Sequence, residues 1–496
     1  MIEYFHSKQI KVIVWTTSMV DVDSPNYNEG LSNGFYVRDL IGKPGTIKWW
    51  HGHGSLVDYS NPKAVEWWHK QMDLVLNLGI DGWKCDGTDP YILELPYSHG
   101  YGGFLTHRDY ANAYYGDFFN YTRLKRGNDT LIMSRPVDGY KFLYLEFSPH
   151  SVMFSGWVGD QDPTFDGLEA ALKRYLQSAW DGYANFGSDI GGYRTGQGTL
   201  GRSRTLFLRW MQLGAFSPLM ENGGNKEHRP WMFEPSNETT AIYKKYVSAH
   251  LMLMPYLLAT GSKAYETRSS SITPLAKHDT FIHKLIDDFK PTTYNYLLGS
   301  DILVCPVIND PAIVDVTFPT GSWVDFWNSS NVYKGGDNHT FTPDLATLPV
   351  FYRAGAIIPL RIRDNLNSFG DETFQGSLTF YVNRPKINIQ HSVEVRDQES
   401  GMIASYWLNS RSTYILFEVT AHRSEMVIIV LQHVLHPTRI TSRSVGNPNK
   451  PADLRELSSL QSLQLVGHGF FWNSKIERLV IRPDISLIGI SLTIHF

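Results

Sequence analysis

Cysteine is nearly missing from this chain: its 496 residues include two, Cys85 and Cys305. Each lies inside an apolar, strand-like run, so both read as buried free thiols and not as a disulfide framework or a metal site. Long apolar runs are missing too. No stretch of about 18 or more uninterrupted apolar residues occurs, which argues against a spanning helix. Charge of one sign never accumulates: 45 Lys and Arg face 49 Asp and Glu, for a formal net charge of -4. No basic run exceeds a few residues, so nucleic acid and other polyanions are not expected partners. No His, Cys or carboxylate cluster has ligand spacing and there is no phosphate loop, so neither a metal nor an organic cofactor is implied. The N-terminus, Met1 to Lys8, lacks the charged flank and apolar run of a signal peptide. Five Asn-x-Ser/Thr sequons, at Asn120, Asn128, Asn237, Asn328 and Asn338, lean the other way, toward a secretory route. The expectation is an intracellular protein or a chain whose true start lies upstream.

What is present is enough apolar sequence for two or three domains: 42% hydrophobic residues, with 14 Trp and 27 Tyr. Such aromatics stack well on sugar rings, although most are expected in cores. From the start, apolar strands alternate with helical patterns. Lys11 to Thr16 reads as a strand, and Asp21 to Lys48 as an irregular excursion. Ser60-Asn61-Pro62 opens a helix carrying Ala64, Trp67, Trp68, Met72, Leu74 and Leu76, and Ile80 to Cys85 is the next strand. Residues 91–130 read as a second excursion. Strands at 131–136, 152–158 and 183–189 follow, with helices near 168–180 and 203–213, a short strand at 215–219 and a last helix at 242–259. Six strand-plus-helix units result, the pattern of a parallel α/β architecture. From Ile272 short alternating strands between Gly, Asn and Pro turns take over, and a further β-rich block follows Arg363. The predicted fold class is α/β: an incomplete (β/α)8 TIM barrel over residues 1–271, then two β-sandwich-like domains, 272–362 and 363–496.

Two of the strands end the same way. Ile80 to Cys85 stops at Asp86, followed by Gly87-Thr88-Asp89-Pro90; Val152 to Val158 runs into Gly159-Asp160-Gln161-Asp162. In a parallel barrel, residues at that end of a strand line the active site. Asp86 could instead cap a following helix. The second strand-terminal carboxylate favours a glycosidase pair, one nucleophile and one acid/base.

With these residues laid out, the chain resembles glycoside hydrolase family 31, the retaining α-glycosidases, from residue 10 to about 362. The resemblance rests on Trp83-Lys84-Cys85-Asp86 with Asp89, on Gly159-Asp160-Gln161, and on Gly187-Ser188-Asp189-Ile190-Gly191-Gly192-Tyr193. Arg209 to Pro218, Arg229-Pro230-Trp231, Pro255-Tyr256 and Pro349 to Pro359 add to it. It implies Asp86 as nucleophile, Asp160 as acid/base and Asp89 as a carboxylate hydrogen-bonding near the nucleophile. Arg135 and Asp189 fall on positions that shape the innermost sugar subsite. Trp157 and Trp231 are candidates for stacking on sugar, but core packing is the favoured reading for each. The implied substrate is a carbohydrate, an α-glycoside.

The chain departs from that pattern in two places. Met220 to His228 carries Glu221 and Gly223 where the family has an arginine and a histidine, and His228 is a possible substitute or a surface residue. The Lys84-x-Asp86 form leans toward the xylosidase, galactosidase and sulfoquinovosidase side of the family. The chain also begins where the family's third barrel strand belongs, so it is expected to be part of a longer hydrolase. Six strands do not close an eight-stranded barrel. Two alternatives to hydrolysis stay open: a catalytically inactive carbohydrate-binding or accessory protein, and an α-glucan lyase.

Overall fold

The computed structural model describes residues 1–95, 97–141, 143–276, 290–362, 376–385, 390–396, 401–408, 414–421, 427–444, 447–483 and 489–496. At its front, four parallel strands form one sheet in the order Ile13–Thr16, Gly82–Cys85, Leu131–Ser134, Ser155–Gly156. Single parallel bridges, Trp157 to Gly187 and Asp189 to Glu221, extend that sheet by two further staves. Six staves are thus present among the described residues, and none of them pairs with the outer edge of Ile13–Thr16. Trp15 stands 47% exposed on that edge.

Helices return the chain between staves, and each starts where the local chemistry allows. Asn61 accepts the Lys63 amide ahead of Pro62–Leu76, while Thr164 and Ser203 cap Phe165–Trp180 and Arg204–Ala215. Leu168, Leu172, Tyr175 and Leu176 are buried, as helical spacing requires. Leu74, placed by periodicity on the buried face of its helix, faces solvent instead. The larger difference lies at 91–130. His107–Arg126 is a 20-residue helix, closed at its start by a capping box between Thr106 and Asp109. Tyr110, Tyr114, Tyr115 and Phe118 form its buried face. Aromatic residues with weak helix propensity hid that helix, which tertiary packing stabilises. The strand expected at 215–219 is also displaced, because the preceding helix runs through Ala215 and the stave forms at Glu221. The expected last helix is two, Ser236–Met252 and Met254–Thr267.

Sheets dominate the rest, their strand pairings antiparallel except that Leu378–Asn383 runs parallel to Val427–Gln432. The six-stranded sheet nearest the barrel has the order 272–274, 296–298, 302–304, 350–353, 322–325, 332–334. Ile357–Arg361 pairs with Leu378–Asn383 in the distal five-stranded sheet, while Ile358 and Leu360 pack in the core shared by the barrel and the first sandwich. The expected boundary residue Arg363 lies outside the described residues. Barrel and first sandwich share one apolar core. Polar side chains lock the joint: Arg209 donates to the carbonyls of Thr347 (2.9 Å) and Pro343 (3.0 Å), and Gln212 to that of Leu345 (2.8 Å). Cys85 and Cys305 are free and buried. Among the described residues no helix is long and apolar enough to cross a membrane.

Candidate active site

The Gly82–Cys85 strand is gripped on both sides by parallel neighbours. A Cβ on Gly82 would sit 1.9 Å from the Leu131 carbonyl oxygen, so only glycine permits this approach. The ladder continues one residue further, through the Asp86 amide donating to the Thr16 carbonyl at 2.9 Å. That bond fixes the Asp86 backbone at the strand end. Its carboxylate accepts from the Gly87 amide (2.8 Å), from Arg135 Nη2 (3.1 Å) and from Trp15 Nε1 (3.1 Å). These are not the bonds of a helix cap, and the short helix that follows begins only at Asp89, with Thr88 as its cap residue.

Asp160 follows the Trp157 to Gly187 bridge, on a turn that Gly159 makes with φ of +88°. A Cβ on Gly159 would fall 2.3 Å from Asp138 Oδ2. Asp160 Oδ2 lies 3.3 Å from Arg135 Nη2, and its Oδ1 accepts a long bond, 3.4 Å, from Trp157 Nε1. One guanidinium nitrogen therefore touches both strand-end carboxylates. The two oxygens are no further apart than the sum of those two contacts, compatible with the separation of about 5 Å in a retaining pair. The Asp160 side chain is 30% exposed and that of Asp86 17%, so the second carboxylate is the one closer to solvent.

Arg135 is itself held. Its Nη1 donates to Asp138 Oδ2 at 2.6 Å, and its guanidinium lies 5.2 Å over the Trp157 ring. Burial opposes its charge, but Asp86, Asp160 and Asp138 together outweigh burial and raise its pKa well above the ordinary arginine value.

A second cluster adjoins the first. Lys84 and Asp86 are two apart on one strand end, so their side chains leave the same face. Lys84 Nζ is 3.0 Å from Glu221 Oε1 and 4.2 Å from the centre of the Trp157 ring. Burial pulls its pKa down, but Glu221, Asp189 and Asp160 pull harder in the other direction and the net shift is upward. Asp189, bridged to Glu221 through the backbone, is 1% exposed, and neither of its carboxylate oxygens has a hydrogen-bond partner. Burial first, and then the Glu221 charge, hold its pKa well above the usual carboxylate range.

Of the seven residues singled out from sequence, Asp86, Asp160, Arg135 and Asp189 come together here. Asp89 does not. It is fully buried, with His107 Nε2 at 2.7 Å from one oxygen and Tyr115 donating to the other at 2.8 Å, so it offers no atom to a ligand. Trp157 is 1% exposed and two cations cover its ring, so it forms a floor beneath Lys84 and Arg135 and cannot stack on sugar. Trp231 stands 56% exposed on the 230–232 turn. His228 is neither a surface residue nor a partner of the carboxylates. Arg202 Nη1 lies 2.6 Å from its Nε2, and burial, aided by the Arg202 charge, lowers its pKa to about 4.

Sequence reasoning passed over Trp15, Asp138 and Tyr193. Trp15 alone carried a usable cue: it is an indole near the end of a strand neighbouring the Asp86 strand. Tyr193 was quoted only within a motif, yet its ring centre lies 6.0 Å from Lys84 Nζ, and burial first, then the Asp160 charge, raise its pKa against the opposing pull of Lys84.

Residues 1–260 match the model of the glycosyl hydrolases family 31 TIM-barrel domain, and residues 278–358 match that of the family 31 C-terminal domain. The chain belongs to glycosyl hydrolase family 31. Curated relatives include an alpha-glucosidase 2 of Bacillus thermoamyloliquefaciens, 28% identical over 67% of this chain and 42% of its own length. A sulfoquinovosidase of Escherichia coli is 28% identical over 71% of this chain and 51% of its own. This family 31 chain thus spans about half the length of the curated relatives it matches. Among solved structures, a cycloalternan-forming enzyme from Listeria monocytogenes superposes with a TM-score of 0.82 at 21% identity, over 100% of this chain and 46% of that one. A Flavobacterium johnsoniae dextranase gives 0.80 at 20%, over 100% and 63%. At such identities these two superpositions bear on the fold alone.

Proposed function

We propose that this family 31 protein is a retaining α-glycosidase, with Asp86 as nucleophile and Asp160 as acid/base. The observation that carries the reading is the Arg135 nitrogen within 3.3 Å of both carboxylates. Asp86, held by three donors, attacks the anomeric carbon while the bond to the leaving oxygen breaks. Asp160 supplies the proton which that oxygen takes. In the second step Asp160 removes a proton from water, whose oxygen bonds to the anomeric carbon as the Asp86 ester bond breaks. Both carboxylates return to their starting states. The names of the relatives, alpha-glucosidase, alpha-xylosidase and sulfoquinovosidase, support an α-linked sugar as substrate.

The test is release of p-nitrophenol from aryl α-glycosides by the protein and by Asp86→Asn and Asp160→Asn. Asp86→Asn is expected to lower turnover by roughly 10⁴-fold or more with an unchanged melting curve. Asp160→Asn is expected to leave the first step measurable, because p-nitrophenolate departs without a proton, while slowing the attack of water. Full activity in Asp86→Asn would end the proposal. An anhydro sugar in place of the reducing sugar would move it to elimination chemistry.

A further inference from the structure

We propose that Glu221 sets the charge class of the sugar this site accepts: by occupying Lys84 it makes the subsite around Lys84, Glu221 and Asp189 one for a neutral, hydroxyl-rich ring and closes it to an anionic one. The inference rests on the glycosidase reading and deepens it. It starts from Lys84, two residues before Asp86 at the same strand end. Left alone, an ammonium beside the reacting centre would attract a sulfonate or carboxylate on the sugar. It is not left alone. Glu221 Oε1 lies 3.0 Å from its Nζ, and the Trp157 face closes another side at 4.2 Å. The side chains of this pair are 21% and 17% exposed, so water screens the contact little.

The remaining polar atoms point to the ligand. Asp189 Oδ1, Asp189 Oδ2 and Glu221 Oε2 are buried and lack any hydrogen-bond partner. Buried acceptors without donors are rare in folded proteins and costly to keep. Sugar hydroxyls supply the missing donors. A sulfonate supplies none, and brings a negative charge against Glu221, whose carboxylate already holds Lys84 at 3.0 Å. Gly223 leaves room beside this cluster, since a Cβ there would meet Asp189 Oδ1 only at 3.6 Å. The question has substance in this family 31 chain, because its relatives include an alpha-glucosidase and a sulfoquinovosidase at the same 28% identity.

The experiment compares two ligands of one shape, the p-nitrophenyl α-glycosides of glucose and of its 6-deoxy-6-sulfonate. Binding is measured by calorimetry in the Asp86→Asn background, with and without Glu221→Gln. The parent is expected to bind the neutral sugar at least about 10-fold tighter than the sulfonate, given the cost of like charges in a desolvated site. Glu221→Gln, which frees Lys84 at constant side-chain size, is expected to tighten the sulfonate about 10-fold and to weaken the neutral sugar. An unchanged ratio in the variant overturns the proposal. So does a parent that binds the sulfonate as well as the neutral sugar, or neither; that measurement decides alone if the variant does not fold. The glycosidase reading fails separately: selective binding of the neutral sugar, with no turnover by the unmodified protein, would defeat hydrolysis and leave the charge selection standing.

Discussion

Arg135→Met tests the electrostatic centre of the site. The guanidinium faces Asp138 at 2.6 Å, Asp86 at 3.1 Å and Asp160 at 3.3 Å, and its side chain is 15% exposed. Methionine keeps most of the apolar stem against Trp157 and removes only the charge. Removing one partner of a buried ion pair costs about 3–5 kcal/mol. Arg174, 3.4 Å from Asp138, still serves that carboxylate, which places the expected loss near the lower end, about 3 kcal/mol. With a urea slope of about 3 kcal/mol per molar, the unfolding midpoint moves down by about 1 M. Urea titrations followed by tryptophan fluorescence at pH 7 give this directly. An unchanged midpoint would refute the reasoning.

Three further outcomes are expected. Trp15→Phe removes the indole donor to Asp86 Oδ2 but keeps an aromatic ring; kcat/KM on an aryl α-glycoside should fall about 10-fold, the scale of one hydrogen bond to a charged group, with the melting temperature little changed. Arg209→Leu leaves the Thr347 and Pro343 carbonyls without their donor at the joint between barrel and sandwich, and a loss of about 2–3 kcal/mol should appear as faster proteolysis near 343–347. His228 has its pKa lowered to about 4 by burial and Arg202, against 6.5 when unfolded, so its neutral form contributes stability that is complete above pH 6.5 and lost as pH falls toward 4. In His228→Asn the fall in urea midpoint between pH 7 and pH 4 should be shallower than in the unmodified protein.

Strand-terminal position was enough to pick out Asp86 and Asp160 from sequence, because residues at the C-terminal ends of parallel barrel strands are the ones that line a site. Polar caps and apolar stripes located helices as well, as after Asn61 and from about Leu168. They failed at His107–Arg126, where the buried stripe is tyrosine and phenylalanine and the rest of the helix is polar. Asp89 came from the family resemblance alone, and His107 and Tyr115 hold it in the interior, while Trp157 packs in the core as the favoured reading had it.

Local order and the chemistry of each strand end are thus properties of the sequence itself, since alternation, caps and glycines act over a few residues. The pairings that give those ends a function are not. Arg135 meets Asp86 across 49 positions, and Lys84 meets Glu221 across 137. Only the parallel stacking of six staves brings such distant residues within 3.1 Å, and only burial decides which of their charges are neutralised and which acceptors stay open for a ligand.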